Sequence, residues 1–291
     1  NGRFASDPEA QSALAAARSA VIGWKQTPIA ERIAAVDAFV DTFIAEKQAL
    51  ALMTAWQIGR PLAKSDETDD LRYLYEHYKT TLIAGLGVIE LPGSVDERRF
   101  ARREPYGVTL SICAWNYPVV MLSSLILAPL LTGNVVIFKH APQTARISEL
   151  IVDACKAAGL PAGVLQALDL TNAQCAAMLG SGDIGLVNFV GSSRGGLEVR
   201  QAAASQLVNE IFELGGKDAA YVRPDANLEV TASELVRAAF TNSGQSCCSV
   251  ERIYVADAVY DRFVDLFVDA ASAWRIGHPV DNDFELGPVI N

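Results

Sequence analysis

No stretch of this sequence stays apolar for long enough to cross a bilayer. Val119–Leu131 is interrupted by Ser and Pro and stops well short of the ~20 residues a span needs. No Lys/Arg-led hydrophobic leader opens the chain, so secretion is not expected; the start at Asn1 without Met suggests a trimmed or partial chain. Basic residues are outnumbered, 24 Lys and Arg against 34 Asp and Glu, for a net charge of −10. A diffuse acidic surface repels phosphate backbones, so nucleic acid is not an expected partner. The one basic cluster, Arg98, Arg99, Arg102 and Arg103, reads more readily as a solvated strand face than as a nucleic-acid patch. The 5 cysteines form an odd set with no CxxC spacing, neither a zinc site nor a disulfide framework, and they fit a reducing, cytoplasmic compartment. The GxGxxG fingerprint is missing, as are internal repeats and low-complexity segments.

What is present is 291 residues, 51% hydrophobic and 20% charged, enough for one large α/β domain or two unequal ones. The first eighty or so read as helices. Asp7-Pro8 and Thr27-Pro28 each set a capping side chain before a Pro at the first helical position. Ile33, Val36, Val40 and Phe43 recur at helical spacing and predict one apolar face. A further helix at about Asp66–Ala84 carries Leu71, Leu74 and Tyr78 on one side, its tyrosines read as packing. Val88–Leu91 and Phe100–Arg103 then look like two short strands around Pro92-Gly93, a ribbon with little core of its own and suited to an oligomer contact.

From Gly107 strands and helices alternate. Strands are expected at Val108–Cys113, Asn134–Phe138, Val164–Leu168 and Leu186–Val190, with helices at about Pro118–Leu131, Thr144–Ala158, Ala173–Leu179 and Gly195–Ala204. This rhythm implies an α/β fold with a doubly wound parallel sheet, in which ligands gather beyond the carboxyl ends of the strands. A second α/β run follows Asp218: strands near Ala219–Val222 and Arg252–Val255, helices near Leu228–Asn242 and Tyr260–Ala273. It stops at Asn291 just past a Gly-Pro turn with too few strands to close a sheet, so the second domain is expected to be incomplete.

Five segments carry chemistry. Cys247, in Asn-Ser-Gly-Gln-Ser-Cys-Cys (242–248), follows a Gly turn closing a helix and precedes a strand. That puts it on a loop, where a thiol near a base or helix dipole ionises and attacks a carbonyl; a lone Cys is otherwise more often core. Cys248 should face the other way and pack. Glu213, in Phe-Glu-Leu-Gly-Gly-Lys (212–217), sits between apolar residues at a strand end. It is either salt-bridged to Lys217 or a partly desolvated general base with a raised pKa, and the paired glycines let another molecule approach the backbone. Asn116, in Ala-Trp-Asn-Tyr-Pro (114–118), is an amide donor able to hold an oxyanion, or a helix cap. Lys139 ends a strand before His140. Gly191-Ser192-Ser193-Arg194-Gly195-Gly196 places free amides and a hydroxyl at a helix N-terminus, a phosphate site.

Together these segments resemble the NAD(P)-dependent aldehyde dehydrogenase superfamily. Ala-Trp-Asn-Tyr-Pro, Phe-Glu-Leu-Gly-Gly-Lys and Gly-Gln-Ser-Cys (244–247) look like its signatures, in the family's order and spacing. Gly159–Val164 and Leu286–Ile290 also look like family segments, so the resemblance covers nearly the whole chain. It implies a dinucleotide-binding domain over 1–86 and 106–215, a β-hairpin for oligomerisation over 87–105, and an incomplete catalytic domain over 216–291. It implies Cys247 as the nucleophile forming a thiohemiacetal and then a thioester. Asn116 and the Cys247 amide would hold the oxyanion, and Glu213 would activate the deacylating water. It also implies cofactor contacts: Lys139 at the adenosine ribose, Gly191 and Ser192 at the pyrophosphate, the Leu214 carbonyl at the nicotinamide amide, and Ile112 and Trp115 along the channel. The expected partner is a small-molecule aldehyde, and the full-length protein is expected to be a homodimer or homotetramer.

Pro142 stands where NAD-preferring relatives often carry a ribose-binding Glu, so NADP as well as NAD is an expected cofactor. The family continues beyond the equivalent of Asn291, and the 291 residues alone are therefore expected to be inactive or badly impaired. Two rival readings are a CoA-acylating relative, in which CoA takes the thioester, and a catalytically silent homologue. Glu213 argues against the first; the joint presence of Cys247, Glu213 and Asn116 argues against the second.

Overall fold

A computed structural model describes residues 3–281 and 284–291. Three helices open it: α1 (Asp7–Gln26), α2 (Ile29–Ala45) and α3 (Lys47–Ile58). The cap of α1 is Ser6 rather than Asp7: the Glu9 carboxylate accepts the Ser6 amide at 2.7 Å while the Ser6 hydroxyl takes the Glu9 amide. That reciprocal box leaves Asp7 and Pro8 inside the first turn. Thr27 caps nothing in α2 either. It closes α1, its hydroxyl donating to the Gly23 carbonyl at 2.9 Å. On α2 the buried face is Val36, Phe39, Val40 and Phe43, close to the predicted stripe. Helix α4 (Thr68–Gly85) buries Leu71 and Tyr75; the Tyr75 hydroxyl donates to Asp37 at 2.8 Å, a packing tyrosine with a satisfied tip.

Next comes an antiparallel ribbon, β1 (Ile89–Ser94) and β2 (Glu97–Ala101), exposed along both strands. Its arginines are spent locally. Arg98 pairs with Glu90, Arg99 with Glu97 and Arg102 with Glu104, and Arg103 donates to the Gly85 carbonyl.

The main sheet is built from β3 (Val108–Ile112), β4 (Val135–Lys139), β5 (Leu165–Ala167), β6 (Ile184–Val190) and β7 (Asn209–Glu213). All are parallel, in the order β5-β4-β3-β6-β7. The order reverses at β3, which marks a doubly wound sheet with its ligand crevice at the ends of β3 and its neighbours. Strands β3 and β4 are buried at every residue, as expected where helices cover both faces. Connecting them is a helix that starts later than its sequence suggests. Residues 118–121 form a turn, Ser123–Leu127 a π-helical segment and Ala128–Leu131 the short α5. The amides of Val119 and Val120, which a regular first turn would leave unpaired, are taken by the Glu67 carboxylate at 2.9 and 2.7 Å. Helices α6 (Ile147–Ala157), α7 (Asn172–Gly180) and α8 (Ser193–Ala203) complete the layers.

A separate two-stranded parallel sheet, β8 (Asp218–Val222) with β9 (Val250–Val255), carries α9 (Leu228–Phe240) and α10 (Tyr260–Ser272). It has a small core of its own around Val222, Leu228, Ala232 and Phe263. The last residues fold back onto the end of α3. Gly59, at φ +82°, lies so close to Pro288 that a Cβ there would sit 2.3 Å from its carbonyl oxygen.

Candidate active site

The loop after α9 takes a backbone path that few residues tolerate. Asn242, Ser243 and Gly244 have φ of +56°, +57° and +74° in succession, two of them in the left-handed region without being glycine. Buried side-chain bonds fix this path. The Asn242 amide nitrogen donates to the carbonyls of Asn116 at 3.2 Å and Gln245 at 3.1 Å, and its oxygen accepts Arg60 Nε at 3.1 Å. Both of its N–H donors and one acceptor position of its oxygen are therefore committed. The Ser243 hydroxyl donates to Gly287 O at 2.8 Å, and the Ile290 amide donates to Gln245 Oε1 at 2.9 Å.

Cys247 follows this turn and is exposed, on a loop as its sequence context indicates. Asn116 reaches the same loop from the end of β3: its Nδ2 donates to the Gln245 carbonyl at 3.0 Å. One of its two amide protons is then committed and the other is free to face a ligand. The segment 212–217 arrives from a third direction. Gly216 lies against the Cys247 backbone, where an added Cβ would come within 2.0 Å of the Cys247 carbonyl oxygen. So the three signature segments converge.

Two expectations about side chains are corrected. Cys248 is exposed rather than packed, because the chain curls in a turn in which Ser246 Oγ lies 3.2 Å from Cys248 Sγ and accepts the Cys248 amide at 3.4 Å. Glu213 is exposed rather than partly desolvated, since β7 is the edge strand of the five-stranded sheet. The alternative in which Glu213 bridges to Lys217 is also removed: Lys217 pairs with Glu251. Burial and the adjoining Cys248 thiol push the Cys247 thiol above its ordinary range. Burial also raises the thiols of Cys113, Cys155 and Cys175, Cys155 to about 12 and Cys175 to about 11.

A cleft of about 340 Å³ opens at the carboxyl ends of β3, β4 and β6, lined by Ile112, Lys139, Cys175, Leu179, Phe189 and Gly195 among others. Ile112 and Lys139 are the last residues of β3 and β4. The Lys139 ammonium is buried and donates to the His140 carbonyl at 3.2 Å, leaving further N–H bonds for an anion or hydroxyl. Ser192 caps α8, its oxygen accepting the Gly195 amide at 3.1 Å; its own proton remains to be donated. At Gly191 and Gly195 a Cβ would strike the Phe189 ring at 2.5 and 2.9 Å, so the turn needs glycine to lie flat on that ring. Leu214 packs over Gly196. Trp115 is half-buried beside Asn116 and is not among the residues lining the cleft.

Arg60, Glu67 and Asn242 were not singled out by sequence. Arg60 and Glu67 form a buried ion pair at 2.5 Å, and nothing in Gly-Arg-Pro or Asp-Glu-Thr distinguishes them from surface charges.

The aldehyde dehydrogenase family model matches residues 3–291. The chain belongs to the aldehyde dehydrogenase family. Succinate-semialdehyde dehydrogenase [NADP(+)] 1 of Mycobacterium bovis is 29% identical over 290 residues, 98% of this chain and 63% of the relative. D-glyceraldehyde dehydrogenase (NADP(+)) of Picrophilus torridus is also 29% identical, covering 97% of this chain and 57% of its own length. A solved 3,6-anhydro-L-galactose dehydrogenase in complex with NAP superposes with a TM-score of 0.92 at 27% identity, covering 99% of this chain and 61% of that one. The chain thus spans about three-fifths of the length of these relatives.

Proposed function

We propose that the full protein carrying these residues oxidises an aldehyde to a carboxylic acid with NAD or NADP, using Cys247 as its nucleophile. The observation that carries this reading is the convergence of the Asn116 amide, the Gly216 backbone and an exposed Cys247 on one loop. The thiolate of Cys247 adds to the aldehyde carbon, giving a thiohemiacetal. The free Nδ2 proton of Asn116 and the Cys247 backbone N–H stabilise the oxygen as it becomes anionic, the kind of preoriented donor pair that lowers acyl-transfer barriers. When bound, NAD(P) supplies the hydride acceptor that makes the adduct's carbon a thioester. Glu213 then takes a proton from water, which attacks the thioester carbon and releases the acid and the Cys247 thiolate.

The cleft suits such a cofactor. It has an apolar lining, a buried lysine with hydrogen-bond capacity left over, and the glycine turn and N-terminus of α8 alongside. Lys139 would hold a ribose or its phosphate, Gly191 and Ser192 the pyrophosphate, and the Leu214 carbonyl the nicotinamide amide, with Ile112 along the wall of the cleft and Trp115 outside it, beside Asn116. Pro142 is exposed at the mouth of β4 and brings no carboxylate to repel a 2′-phosphate, which supports use of NADP. Residues 1–86 and 106–215 act as the cofactor-binding unit, 87–105 as an oligomerisation ribbon in a homodimer or homotetramer, and 216–291 as part of the catalytic unit. The compartment is the cytoplasm, where free thiols persist.

The test is an aldehyde panel with NAD and NADP, with and without CoA, using Cys247→Ala as control. Carboxylate formation without CoA, lost in Cys247→Ala, is expected. An acyl-CoA product instead would replace hydrolysis with thiol transfer, and unchanged turnover in Cys247→Ala would reject the nucleophile.

A further inference from the structure

One buried ion pair also bonds to both of the loops that carry the site. Arg60 and Glu67 are 5% and 3% exposed, at the end of α3 and the start of α4. The Arg60 guanidinium reaches in three directions. Nε donates to Asn242 Oδ1 at 3.1 Å, Nη1 to Glu67 at 2.5 Å and Nη2 to the Asn116 carbonyl, while its Cζ lies over the Tyr117 ring, 4.5 Å from the centroid. The second Glu67 oxygen holds the Val119 and Val120 amides. The pair therefore grips the 116–120 segment from both sides and the left-handed turn before Cys247 from one.

Stability alone does not account for this arrangement. Replacing a buried ion pair with apolar residues of similar size is often neutral or stabilising. Strained backbone such as Asn242-Ser243 persists only where its surroundings over-determine it, and Arg60 supplies one of the three bonds that the Asn242 side chain makes. We propose that Arg60, braced by Glu67, is a positioning residue that locks the Asn116 loop to the Cys247 turn, so that amide and thiol face one substrate atom. This rests on the reading of Cys247 as nucleophile given above. Without the guanidinium the Asn116 carbonyl and the Asn242 oxygen each lose an anchor, and the turn relaxes away from the oxyanion donor.

The test uses two variants of the full protein, Arg60→Met/Glu67→Leu and Arg60→Lys. The first removes both charges and leaves neither buried alone; the second keeps the pairing and loses the fork. Thermal melting checks folding. The ratio of Cys247 to Cys248 alkylation by iodoacetamide, read by peptide mass spectrometry, reports the turn, and kcat against cofactor KM reports the site. The double variant is expected to melt cooperatively, change the alkylation ratio at least threefold and lower kcat at least tenfold, with the KM for NADP within twofold of wild type. Arg60→Lys should recover part of the loss. Wild-type ratio and kcat in folded variants overturn the proposal, and if the double variant does not fold, wild-type values in Arg60→Lys alone overturn it. If wild type oxidises no aldehyde, the proposed activity fails on its own, and the alkylation ratio still decides the positioning role.

Discussion

Gly216 and Cys247 meet backbone to backbone: a Cβ on Gly216 would lie 2.0 Å from the Cys247 carbonyl oxygen, closer than any real contact. A glycine is therefore required on the signature segment that precedes β8, for close approach rather than for a special φ. Gly216→Ala must push the thiol loop outward, at a cost of ~1–3 kcal/mol for overpacking. Chemical denaturation should show that loss, and Cys247 alkylation should change with it. A variant with wild-type stability and labelling would show that the two segments are not held in contact.

Cys247 and Cys248 share one exposed turn, and the neighbouring thiol is one of the two main influences that raise Cys247. Removing that neighbour lowers the Cys247 midpoint, so more thiolate is present at neutral pH. Alkylation of Cys247 in Cys248→Ala should therefore begin at lower pH than in wild type. A midpoint moved upward, or not at all, contradicts the assigned cause.

His140 is fully buried, with neither ring nitrogen bonded among the described residues, packed edge-on against Phe138 at 4.7 Å. Burial, with the Lys139 charge adding to it, lowers its pKa from 6.5 to about 3. The folded state thus refuses a proton that the unfolded chain accepts below pH 6.5, so stability falls as pH drops from about 6.5 towards 3. The slope from this one group is ~1.4 kcal/mol per pH unit. Unfolding of His140→Leu between pH 6 and 4 should lose that part of the acid dependence; curves parallel to wild type would contradict it.

Lys139 keeps unused hydrogen-bond capacity in the cleft. Lys139→Met should raise the KM for NADP at least tenfold, ~1.4 kcal/mol or more by the usual conversion, with a smaller rise for NAD. Asn116→Ala should instead lower kcat, by ~10²–10³ if its amide serves the oxyanion. Steady-state kinetics with both cofactors separates these effects, and a kcat unaffected by Asn116→Ala removes the oxyanion role.

Much of this was legible in the sequence, for identifiable reasons. The parallel sheet announced itself because strands and helices alternate from Gly107 onward, and β4 reads as an apolar run up to Lys139. Cys247, Asn116, Lys139 and Ser192 sit at strand ends or on turns, where spacing to a Gly or Pro marks them. Other features depend on distant partners. Ser6 rather than Asp7 caps α1 because Glu9 lies three residues on and closes the box. The helix after Pro118 starts late because Glu67, far back in the chain, takes its first amides. Arg60 and Glu67 look like surface charges until the fold buries them together, and Cys248 looks like core until its turn is seen to curl. Local pattern carries none of that information.

The most direct test of Cys247 as the acyl carrier is acid-quench peptide mapping of Glu213→Gln, mixed with an aldehyde and NADP. With the water-activating carboxylate removed, the acyl group should accumulate on the peptide bearing Cys247, near one per subunit, and be released by hydroxylamine. Acyl mass on Cys248 or another residue instead, or none while acid is still produced, would contradict the account.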